Sequence, residues 1–471
     1  MDFKKVFEPK RMAVVGVSIN DPLNPGTVIF NKNHHEMSVE TIPVNLKGGN
    51  IEGTEIYKTV TDIPNPVDLA CIVIRADLVN TALEECGKAG IGGAIVISGG
   101  FAEVGDSGIE LQNELVKIAN EYDLALIGPN CMGVYSPPYV DTFFIPSERM
   151  LKPPPGNVAI LSQSGGFIVD QFLSKYAERK IGVSAAVSIG NKAVVDEAIL
   201  MEYFLNDKRT QTVAMYLEGF RPGEGRRFLD ASKEFTENKN IIVYRAGKTA
   251  GGQRAAMSHT SSVAASPQLA SDIFKQYGIV EAESEQEIIS FAKILSLCSK
   301  PIKNGNVAVV TVSGGHGVIC ADLIAKYGLN LVEFTEEEQK EMRQLINPTA
   351  ARIATVTNPI DLTGSAEDPD VEKVFEYLLK QEKVEAVIVL TFPYPPTITM
   401  QIGRRLSNIA QEYGKPVVAY VPWLLKYDII IEGFEINNVP VAHTVEEAVQ
   451  MVKGLKMRHG EDKQCSTKPY S

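Results

Sequence analysis

The chain has 471 residues, of which 44% are hydrophobic and 22% charged, and 58 acidic against 46 basic side chains give a formal net charge of −12. This composition is typical of a globular protein and excludes a disordered or fibrous one. The acidic balance argues against nucleic acid as a partner, because phosphate backbones attract basic surfaces. Apolar runs stay short of the roughly 18 residues that a membrane helix needs, so we expect no membrane span. At about 150 residues per domain, the length predicts three domains.

The cysteines and the N-terminal residues indicate the cellular setting. Residues 1–11 are charged and lead into a strand-like run, not into the hydrophobic region of a signal peptide. The six cysteines show neither a CxxC motif nor a zinc-binding spacing. We therefore expect a reducing, cytoplasmic environment. The cysteines are Cys71, Cys86, Cys131, Cys298, Cys320 and Cys465.

Short β-branched runs alternate with amphipathic helical stretches along the whole chain. In the first part, the apolar residues of 76–89 and 110–122 recur at helical spacing between strand-like runs. Repeated strand–helix–strand units predict an α/β fold built from parallel, doubly wound sheets. Ligands of such sheets bind at the carboxyl ends of the strands. The predicted strands of the first part are 11–17, 41–44, 69–74, 93–98 and 124–127.

Two breaks, at 152–156 and 300–305, divide the chain, because their proline and glycine residues cannot continue a helix or a sheet ladder. After each break the sequence restarts in a similar way. The first restart reads NVAILSQSGG from Asn157 and the second reads NVAVVTVSGG from Asn306. Each is a strand, a Ser/Gly turn and the start of a helix. We therefore predict domains at 1–150, 155–300 and 305–460, followed by a polar tail over 461–471.

Small polar turns follow four predicted strands of the first domain, and the carboxyl ends of these strands should meet at one edge. The turn at 14–18 resembles a nucleotide-binding turn but lacks the full GxGxxG motif, so a plain tight turn explains it equally well. Exposed backbone N–H groups at such an edge can hold a pyrophosphate. The candidate ligand-binding residues of this edge are Gly16, Ser18, Asn45, Ser98, Gly99 and Asn130.

The two repeated Ser/Gly turns each open a helix whose first amides are left uncovered by small side chains. The helix dipole favours an anion at such a place. Either turn alone is also explained as a capped turn without a ligand, but their equivalent positions in two domains favour phosphate binding. The candidate phosphate-binding residues are Ser162, Ser164, Gly165, Gly166, Ser313, Gly314 and Gly315.

The segment 246–266 consists mainly of small residues, since fifteen of its 21 residues are Gly, Ala, Ser or Thr. It has no sustained apolar period, which predicts a mobile segment. His259 lies in its middle among hydroxyl side chains that suit phosphate oxygens, although a histidine in a surface loop is the simpler alternative. Gly247-Lys248-Thr249 resembles the end of a Walker A motif, but the glycine that this motif requires five residues earlier is Ile242, so we exclude it.

Glu218 lies where an apolar strand meets a glycine, at a predicted carboxyl edge. A carboxylate there can accept a hydrogen bond from one imidazole nitrogen and fix the tautomer, so that the other nitrogen becomes the nucleophile. A solvated glutamate at a strand end is the alternative. A histidine nucleophile nearby would need such a partner, which favours the orienting role.

The chain resembles the α subunits of ADP-forming acyl-CoA synthetases of the acetate–CoA ligase type and is more distantly similar to the α subunit of succinyl-CoA synthetase. The resemblance covers nearly the whole chain. It implies a Rossmann-like CoA-binding domain followed by two flavodoxin-like ligase domains, the first of which carries a phosphohistidine. The motifs that carry it are Ala246-Gly247-Lys248 with Ser258-His259-Thr260, Ser162-Gln163-Ser164-Gly165, Gly128-Pro129-Asn130-Cys131 and Ser188-Ile189-Gly190-Asn191-Lys192.

The resemblance also implies the reaction and its residues. Acyl-CoA, ADP and phosphate would reversibly give a carboxylic acid, CoA and ATP, with an acyl phosphate as an intermediate. His259 would be the phosphorylated histidine and Glu218 the residue that orients it, while CoA would bind the candidate residues of the first domain. The string at 358–361 (Asn-Pro-Ile-Asp) also recurs in the family, and we expect it to be a structural turn.

Two positions depart from the family pattern, and one module is missing. Ser261 stands where the family usually has glycine after the His-Thr pair, and His316 stands where it usually has proline. No stretch indicates an ATP-grasp module. The resemblance therefore implies a separate ATP-grasp β subunit that holds ADP or ATP with Mg²⁺, in an α₂β₂ assembly, and no metal site on this chain.

Three other functions would require different features of the sequence. A CoA- or acyl-CoA-binding regulatory protein would need neither His259 nor Glu218. An NAD(P)-dependent dehydrogenase should have an acidic residue at the end of the second strand, where this chain has Asn45. A protein acetyltransferase built on the same domains would typically lack the histidine and would need a further domain.

Overall fold

The computed structural model describes residues 1–259, 267–298 and 300–458, and only the backbone of 255–259. Part of the predicted histidine segment and the predicted tail over 461–471 therefore lie outside the described residues. The chain divides into two compact units, Met1–Glu281 and a second that begins at Ala282.

The first unit opens with a five-stranded parallel sheet whose strands are almost entirely buried. Its strands are β1 (Arg11–Val15), β2 (Glu40–Val44), β5 (Leu69–Ile72), β6 (Gly93–Val96) and β7 (Ala125–Ile127), and a separate hairpin consists of β3 (Gly49–Ile51) and β4 (Thr54–Ile56). The helices of this part are α1 (Lys4–Phe7), α2 (Pro25–Glu36), α3 (Ala76–Lys88) and α4 (Asp106–Glu121). The order β2-β1-β5-β6-β7 places the switch point of the sheet between β1 and β5.

A seven-stranded sheet forms the rest of the first unit. Its strands are β8 (Gly133–Ser136), β9 (Val140–Asp141), β10 (Pro155–Ser162), β11 (Val183–Ser188), β12 (Thr212–Leu217), β13 (Asn240–Arg245) and β14 (Val280–Ala282), in the order β14-β13-β12-β10-β11-β8-β9. The helices are α5 (Gly165–Phe167), which continues through a π-helical stretch (Ile168–Ser174) into α6 (Lys175–Glu178), then α7 (Glu197–Asn206), α8 (Glu224–Asn238), α9 (Ala250–His259) and α10 (Pro267–Gln276).

The two sheets of the first unit share a hydrophobic core. Val14, Leu69 and Ile95 on one face of the first sheet belong to the same buried cluster as Leu161 and Val187 of the second. Residues 133–141, which the sequence prediction assigns to the first domain, form the hairpin β8–β9, and β8 pairs antiparallel with β11. This hairpin covers the edge of the second sheet with backbone hydrogen bonds.

The second unit contains one parallel sheet. After helix α11 (Glu285–Leu297) its strands are β15 (Asn306–Thr311), β16 (Asn330–Leu331), β17 (Ile360–Asp361), β18 (Ala386–Leu390), β19 (Val417–Tyr420) and β20 (Val441–Ala442). The other helices are α12 (Gly314–Lys326), α13 (Glu336–Leu345), α14 (Pro348–Ala351), α15 (Asp368–Lys380), α16 (Ile402–Tyr413), α17 (Asp428–Glu435) and α18 (Val445–Met457). The order is β16-β15-β18-β19-β20, and β17 also pairs with β15.

Two features of the second unit bear on sequence predictions. The predicted second domain extends to residue 300, but α11 belongs to the second unit, where Ser290 Oγ donates to Gln450 Oε1 of α18 at 3.1 Å. Asn358 is held by β15, since its Oδ1 accepts from Val309 N at 2.9 Å and its Nδ2 donates to Val307 O at 2.8 Å. Its amide therefore serves the sheet, in line with the structural turn expected at 358–361.

The predicted fold class, α/β with doubly wound parallel sheets, is confirmed. Every strand predicted for the first part of the chain forms close to its predicted position. Within the described ranges, no helix is both long and apolar enough to cross a membrane.

Candidate active site

A cavity of about 470 Å³ lies at the carboxyl ends of strands from both sheets of the first unit. Its walls come from the segments that follow β5, β6, β7, β10 and β11. Turns predicted for two different ligands, CoA and phosphate, therefore open into one space. The lining residues are Pro25, Val73, Ile74, Ile97, Ser98, Glu103, Asn130, Cys131, Met132, Phe144, Gln163, Gly165, Gly190 and Asn191.

Two of the residues predicted for the first-domain edge, Ser98 and Asn130, form one rim of this cavity, and a third, Gly99, lies beside Asn130. Ser98 bridges the ends of β5 and β6, because its hydroxyl donates to Ile74 O at 2.5 Å and accepts from Ile74 N at 3.2 Å. Asn130, with a left-handed φ of +57°, donates its backbone N–H to Ser98 O at 2.9 Å. A Cβ on Gly99 would lie 3.3 Å from Asn130 Oδ1. The hydrogen bonds of Ser98 and Asn130 therefore fix the position of this rim.

The other three residues predicted for this edge, Gly16, Ser18 and Asn45, follow β1 and β2 and are not among those that line the cavity. Gly16 has φ +113°, and a Cβ there would lie 2.2 Å from Val73 O. Any other residue would therefore clash with the backbone of the segment after β5. Ser18 N donates to a threonine hydroxyl of α2 at 2.8 Å. Asn45 Nδ2 donates to the backbone of the turn after β1 at 2.6 Å. Their observed contacts hold this turn in place.

The turn after β10 is closed by two serines. Ser162 Oγ donates to Ser164 O at 2.7 Å and accepts from Ser164 N at 3.1 Å, and Ser162 is fully buried. Ser164 Oγ caps the following helix by accepting from Phe167 N at 3.4 Å. A Cβ on Gly165 would lie 2.4 Å from a methionine side chain, whereas no atom lies within 4 Å of one on Gly166. Gly166 is therefore the open position of this turn.

The equivalent turn of the second unit follows β15 and repeats the same hydrogen bonds. Thr311 Oγ1 donates to Ser313 O at 3.3 Å and accepts from Ser313 N at 3.0 Å. The Ser313 hydroxyl pairs with His316 Nδ1 at 2.9 Å, and no side-chain cap bond to the helix is formed. A Cβ on Gly314 would lie 2.7 Å from a carboxylate oxygen of β17, and Gly315 is open. His316, which stands where the family usually has proline, is therefore the side-chain partner of Ser313 in this turn.

The two predicted catalytic residues follow different elements of the first unit. Glu218 comes directly after β12 and is half-buried, and its backbone N–H donates to Gln163 Oε1 at 2.6 Å. His259 is the last residue of α9. The His259 side chain lies outside the described residues, as do Thr260 and Ser261. The pairing of Glu218 with His259 therefore stays a prediction.

Three family models match successive parts of the chain. They describe a CoA binding domain at 10–137, a succinyl-CoA ligase like flavodoxin domain at 155–295 and a ligase-CoA domain at 307–459. The α subunit of acetate–CoA ligase [ADP-forming] II of Pyrococcus furiosus is 37% identical over 457 residues, which are 95% of this chain and 96% of that protein. The chain belongs to the family of ADP-forming acetate–CoA ligase α subunits.

Two further relatives agree with this membership. A solved structure of "dinucleotide forming acetyl-coenzyme A synthetase 1" of Candidatus Korarchaeum cryptofilum, in complex with phosphate and ADP, superposes with a TM-score of 0.87 at 32% identity and covers 99% of this chain and 100% of that chain. Acetate–CoA ligase [ADP-forming] I of Archaeoglobus fulgidus is 36% identical over 83% of this chain, which matches only 55% of that protein. The predicted enzyme class, an acid–thiol ligase, is confirmed.

In this ligase subunit, Glu103 and Asn191, which are not among the predicted site residues, form a polar wall of the cavity. Glu103 Oε1 accepts from Gly100 N at 2.6 Å, and its Oε2 accepts from Asn191 Nδ2 at 2.5 Å. Burial raises the pKa of Glu103, but the bonds from Asn191 and the backbone outweigh it and hold that pKa below its usual range. The cavity wall therefore carries a fixed negative charge. Asn191 belongs to the motif at 188–192, but nothing in the sequence singles out Glu103.

Gly190 joins the family motif at 188–192 to the rim of the cavity. It has φ +61°, and a Cβ there would lie 2.3 Å from Pro129 O and 2.6 Å from Asn130 O. Ordinary side chains resist this φ, and the two carbonyls belong to backbone that cannot move freely. The glycine therefore allows the two turns to touch.

Replacing Gly190 with alanine should lower the free energy of unfolding by roughly 2–4 kcal/mol, because overpacking and a strained φ act together. Thermal unfolding of the purified chain measures the loss. Gly225→Ala is the matched control in the same unit, since a Cβ there meets its nearest atom at 3.6 Å, an ordinary contact. Equal melting temperatures for both variants would contradict this account of Gly190.

A buried ion network lies behind the cavity wall of this ligase subunit. Lys192 Nζ lies 3.1 Å from Glu197 Oε1 and 3.0 Å from Glu224 Oε2, and all three side chains are at most 10% exposed. Glu224 Oε2 also accepts from Arg221 N at 2.7 Å. Burial raises the pKa of Glu224, but this bond and the Lys192 ammonium outweigh it and hold the pKa below 4.5.

The low pKa of Glu224 predicts a pH-dependent contribution to stability. A depressed carboxyl pKa stabilises the folded state above its unfolded value, and the contribution is lost as the pH falls through the folded value. Glu224→Gln should therefore lower the free energy of unfolding by roughly 1–3 kcal/mol near pH 7, and the gap should shrink below pH 4.5. Urea unfolding at pH 7 and at a pH below 4.5 measures the difference in the free energy of unfolding between wild type and variant. The exposed Glu234→Gln is the control. A gap that stays constant with pH would contradict the prediction.

Cys131 lines the cavity but is not suited to act as a nucleophile. Burial raises the pKa of its thiol to about 12. Its Sγ donates to Val96 O at 3.4 Å. The thiol is therefore protonated under physiological conditions, and the chemistry of the site falls to other groups.

Proposed function

We propose that this chain binds acyl-CoA and phosphate in the described cavity and passes a phosphoryl group through His259 to ADP. The overall reaction converts acyl-CoA, ADP and phosphate reversibly into a carboxylic acid, CoA and ATP. The observation that supports it most strongly is the single cavity shared by the Ser98–Asn130 rim and the Gly165 turn. The match to a CoA binding domain supports the proposed binding of acyl-CoA, and the relative solved with phosphate and ADP supports the proposed use of phosphate and ADP.

The proposed reaction has three steps. Phosphate attacks the thioester carbonyl, and the C–S bond breaks to give an acyl phosphate and free CoA. A nitrogen of His259 then attacks the phosphorus, and the carboxylate leaves with the electrons of the P–O bond. Finally, a terminal phosphate oxygen of ADP attacks phosphohistidine, which restores the imidazole and forms ATP. Glu218 accepts a hydrogen bond from the other imidazole nitrogen and keeps it oriented.

The protein contributes mainly position and electrostatics, since phosphoryl transfer needs little covalent help. The amides of Gly165 and Gly166, together with the Ser164 hydroxyl, are the proposed anion cradle, because they begin a helix and the Gly166 position is open. Ser162 shapes this cradle through its bonds to Ser164. The turn at Ser313, Gly314 and Gly315 is proposed as a second anion site on the other unit.

We propose further that the chain works with a separate ATP-grasp β subunit that holds ADP or ATP with Mg²⁺ in an α₂β₂ assembly. Two observations support a second polypeptide. The Pyrococcus furiosus relative is named an α subunit. The Archaeoglobus fulgidus relative is a single protein of which this chain matches 55%. The remaining length of that protein leaves room for the missing nucleotide module.

The test is a reconstitution of the chain with a co-expressed ATP-grasp polypeptide. ATP formed from acetyl-CoA, ADP and phosphate, in amounts equal to the CoA released, would support the proposal. Mixtures lacking either polypeptide should give no ATP. CoA binding without ATP formation in the full mixture would instead favour a regulatory CoA-binding protein.

A further inference from the structure

Gln163 lies between the two proposed functional elements of the first unit. It is the second residue of the Ser/Gly turn after β10, it lines the cavity, and it is 8% exposed. The proposed mechanism gives it no role. Its side chain nevertheless has a full set of partners on the segment that carries Glu218.

The Gln163 amide holds the backbone of Glu218 and Gly219. Its Oε1 accepts from Glu218 N at 2.6 Å and from Gly219 N at 3.2 Å. Its Nε2 donates to Gly219 O at 2.9 Å. One bond to Glu218 and two to Gly219 thus join the phosphate turn to the strand end that carries the residue proposed to orient the histidine. A shift of either element would break them together.

A fourth bond fixes the amide itself. Gln163 Nε2 also donates to Glu197 Oε1 at 2.5 Å. Glu197 is 1% exposed and is paired with Lys192 Nζ at 3.1 Å. Because this carboxylate can only accept, it sets which end of the glutamine amide faces Glu218. The buried ion network therefore supports the position of Gln163.

The internal repeat shows that the turn does not need a glutamine in order to fold. The second unit forms the same turn, with the same pair of hydrogen bonds between Thr311 and Ser313. At the position of Gln163 it has Val312, which is 8% exposed. Gln163 buries an amide with four hydrogen bonds at a position where valine is sufficient for the turn to form. This indicates that the glutamine has a role other than closing the turn.

We infer that Gln163 is a positioning residue that holds Glu218 in register with the phosphate turn. The inference rests on the proposed function, since it concerns the step in which His259 takes the phosphoryl group. Gln163 itself touches no reacting atom in this account. Displacing Glu218 by about 1 Å can slow such a step by about a hundredfold, because transfer depends on exact alignment.

The first test is Gln163→Val, which copies the residue of the equivalent turn. In the reconstituted enzyme, single-turnover labelling of the chain with radioactive phosphate and acetyl-CoA should slow by about a hundredfold. The dissociation constant of CoA should stay within about twofold, since the Ser98–Asn130 rim is untouched. Gln211→Met, an exposed glutamine of the same unit, is the control and should label at the wild-type rate.

A charge swap supplies a second test that does not depend on the stability of the valine variant. Gln163→Glu places a carboxylate against Glu197 and should slow labelling at least as much as valine does. Adding Glu197→Gln restores a donor opposite the new carboxylate and should recover at least about tenfold, as coupled neighbours do in a double-mutant cycle. A merely space-filling glutamine would show no such recovery.

The outcomes separate the inference from the proposed function. A wild-type protein that takes no label would overturn the proposed function and the inference with it. If wild type is labelled and Gln163→Val is labelled at the same rate, only the inference fails. Parallel losses of CoA binding and labelling, or a double variant no faster than Gln163→Glu, would also overturn it.

Discussion

Replacing His259 with alanine is expected to abolish ATP formation by the reconstituted enzyme and to leave CoA binding intact. The proposed mechanism has no other acceptor for the phosphoryl group, so the loss should exceed about 10³-fold in turnover. The chain leading to this histidine is anchored, because Arg245 and Lys248 pair with Glu281 at 3.2 and 3.0 Å. A change at the end of α9 should therefore leave the sheet and the cavity unaffected.

The measurement is phosphoenzyme labelling with radioactive acetyl phosphate, followed by calorimetric titration with CoA. His259→Asn tests whether a polar side chain of similar reach can replace the imidazole, and it should be equally inactive. His35→Ala, an exposed histidine on α2, is the control and should be labelled normally. Label retained by His259→Ala at the wild-type level would assign the phosphoryl group to another residue.

The architecture could be predicted from the sequence because its signals are local. Buried β-branched runs, glycine-rich strand ends and amphipathic helices repeat along the chain, and each marks one strand or helix. The repeated restart at Asn157 and Asn306 even predicts equivalent turns, which share their hydrogen bonds in the structure. The family followed from motifs at the same strand ends.

Elements defined by distant partners could not be predicted in this way. Residues 133–141 have no local pattern that assigns them to the second sheet, since their place depends on pairing with β11. The same holds for α11, whose position follows from its packing on α18. The compact units therefore divide after Glu281, whereas the matched family domains at 155–295 and 307–459 begin and end near the proline-rich breaks.

The candidate site shows the same limit at the level of side chains. The sequence predicts Ser98 and Asn130, because small polar residues at strand ends are a local signal. Glu103 and Gln163 carry no such local signal, because their roles depend on Asn191 and Glu218, which lie 88 and 55 residues further along the chain. Only the fold brings such pairs together, and no spacing rule anticipates them.

The second large effect is expected from Glu218→Gln, which should slow phosphorylation of His259 by about 10²-fold or more. Glutamine keeps the shape of the side chain and the backbone bonds to Gln163, but it lacks the charge and can offer a donor where an acceptor is needed. The imidazole would then lose its fixed tautomer, and the charge that forms on it during transfer would lose its counterion.

Comparison of two substitutions at the same strand end decides between orientation and packing. Glu218→Asp keeps the charge but shortens the reach, so it should retain more activity than Glu218→Gln if the carboxylate acts on the imidazole. The exposed Glu234→Gln on α8 is the control for a lost negative charge in the same unit and should be fully active. Single-turnover rates unchanged in Glu218→Gln would leave the carboxylate without an orienting role, and the tautomer of His259 would have to be set by another acceptor.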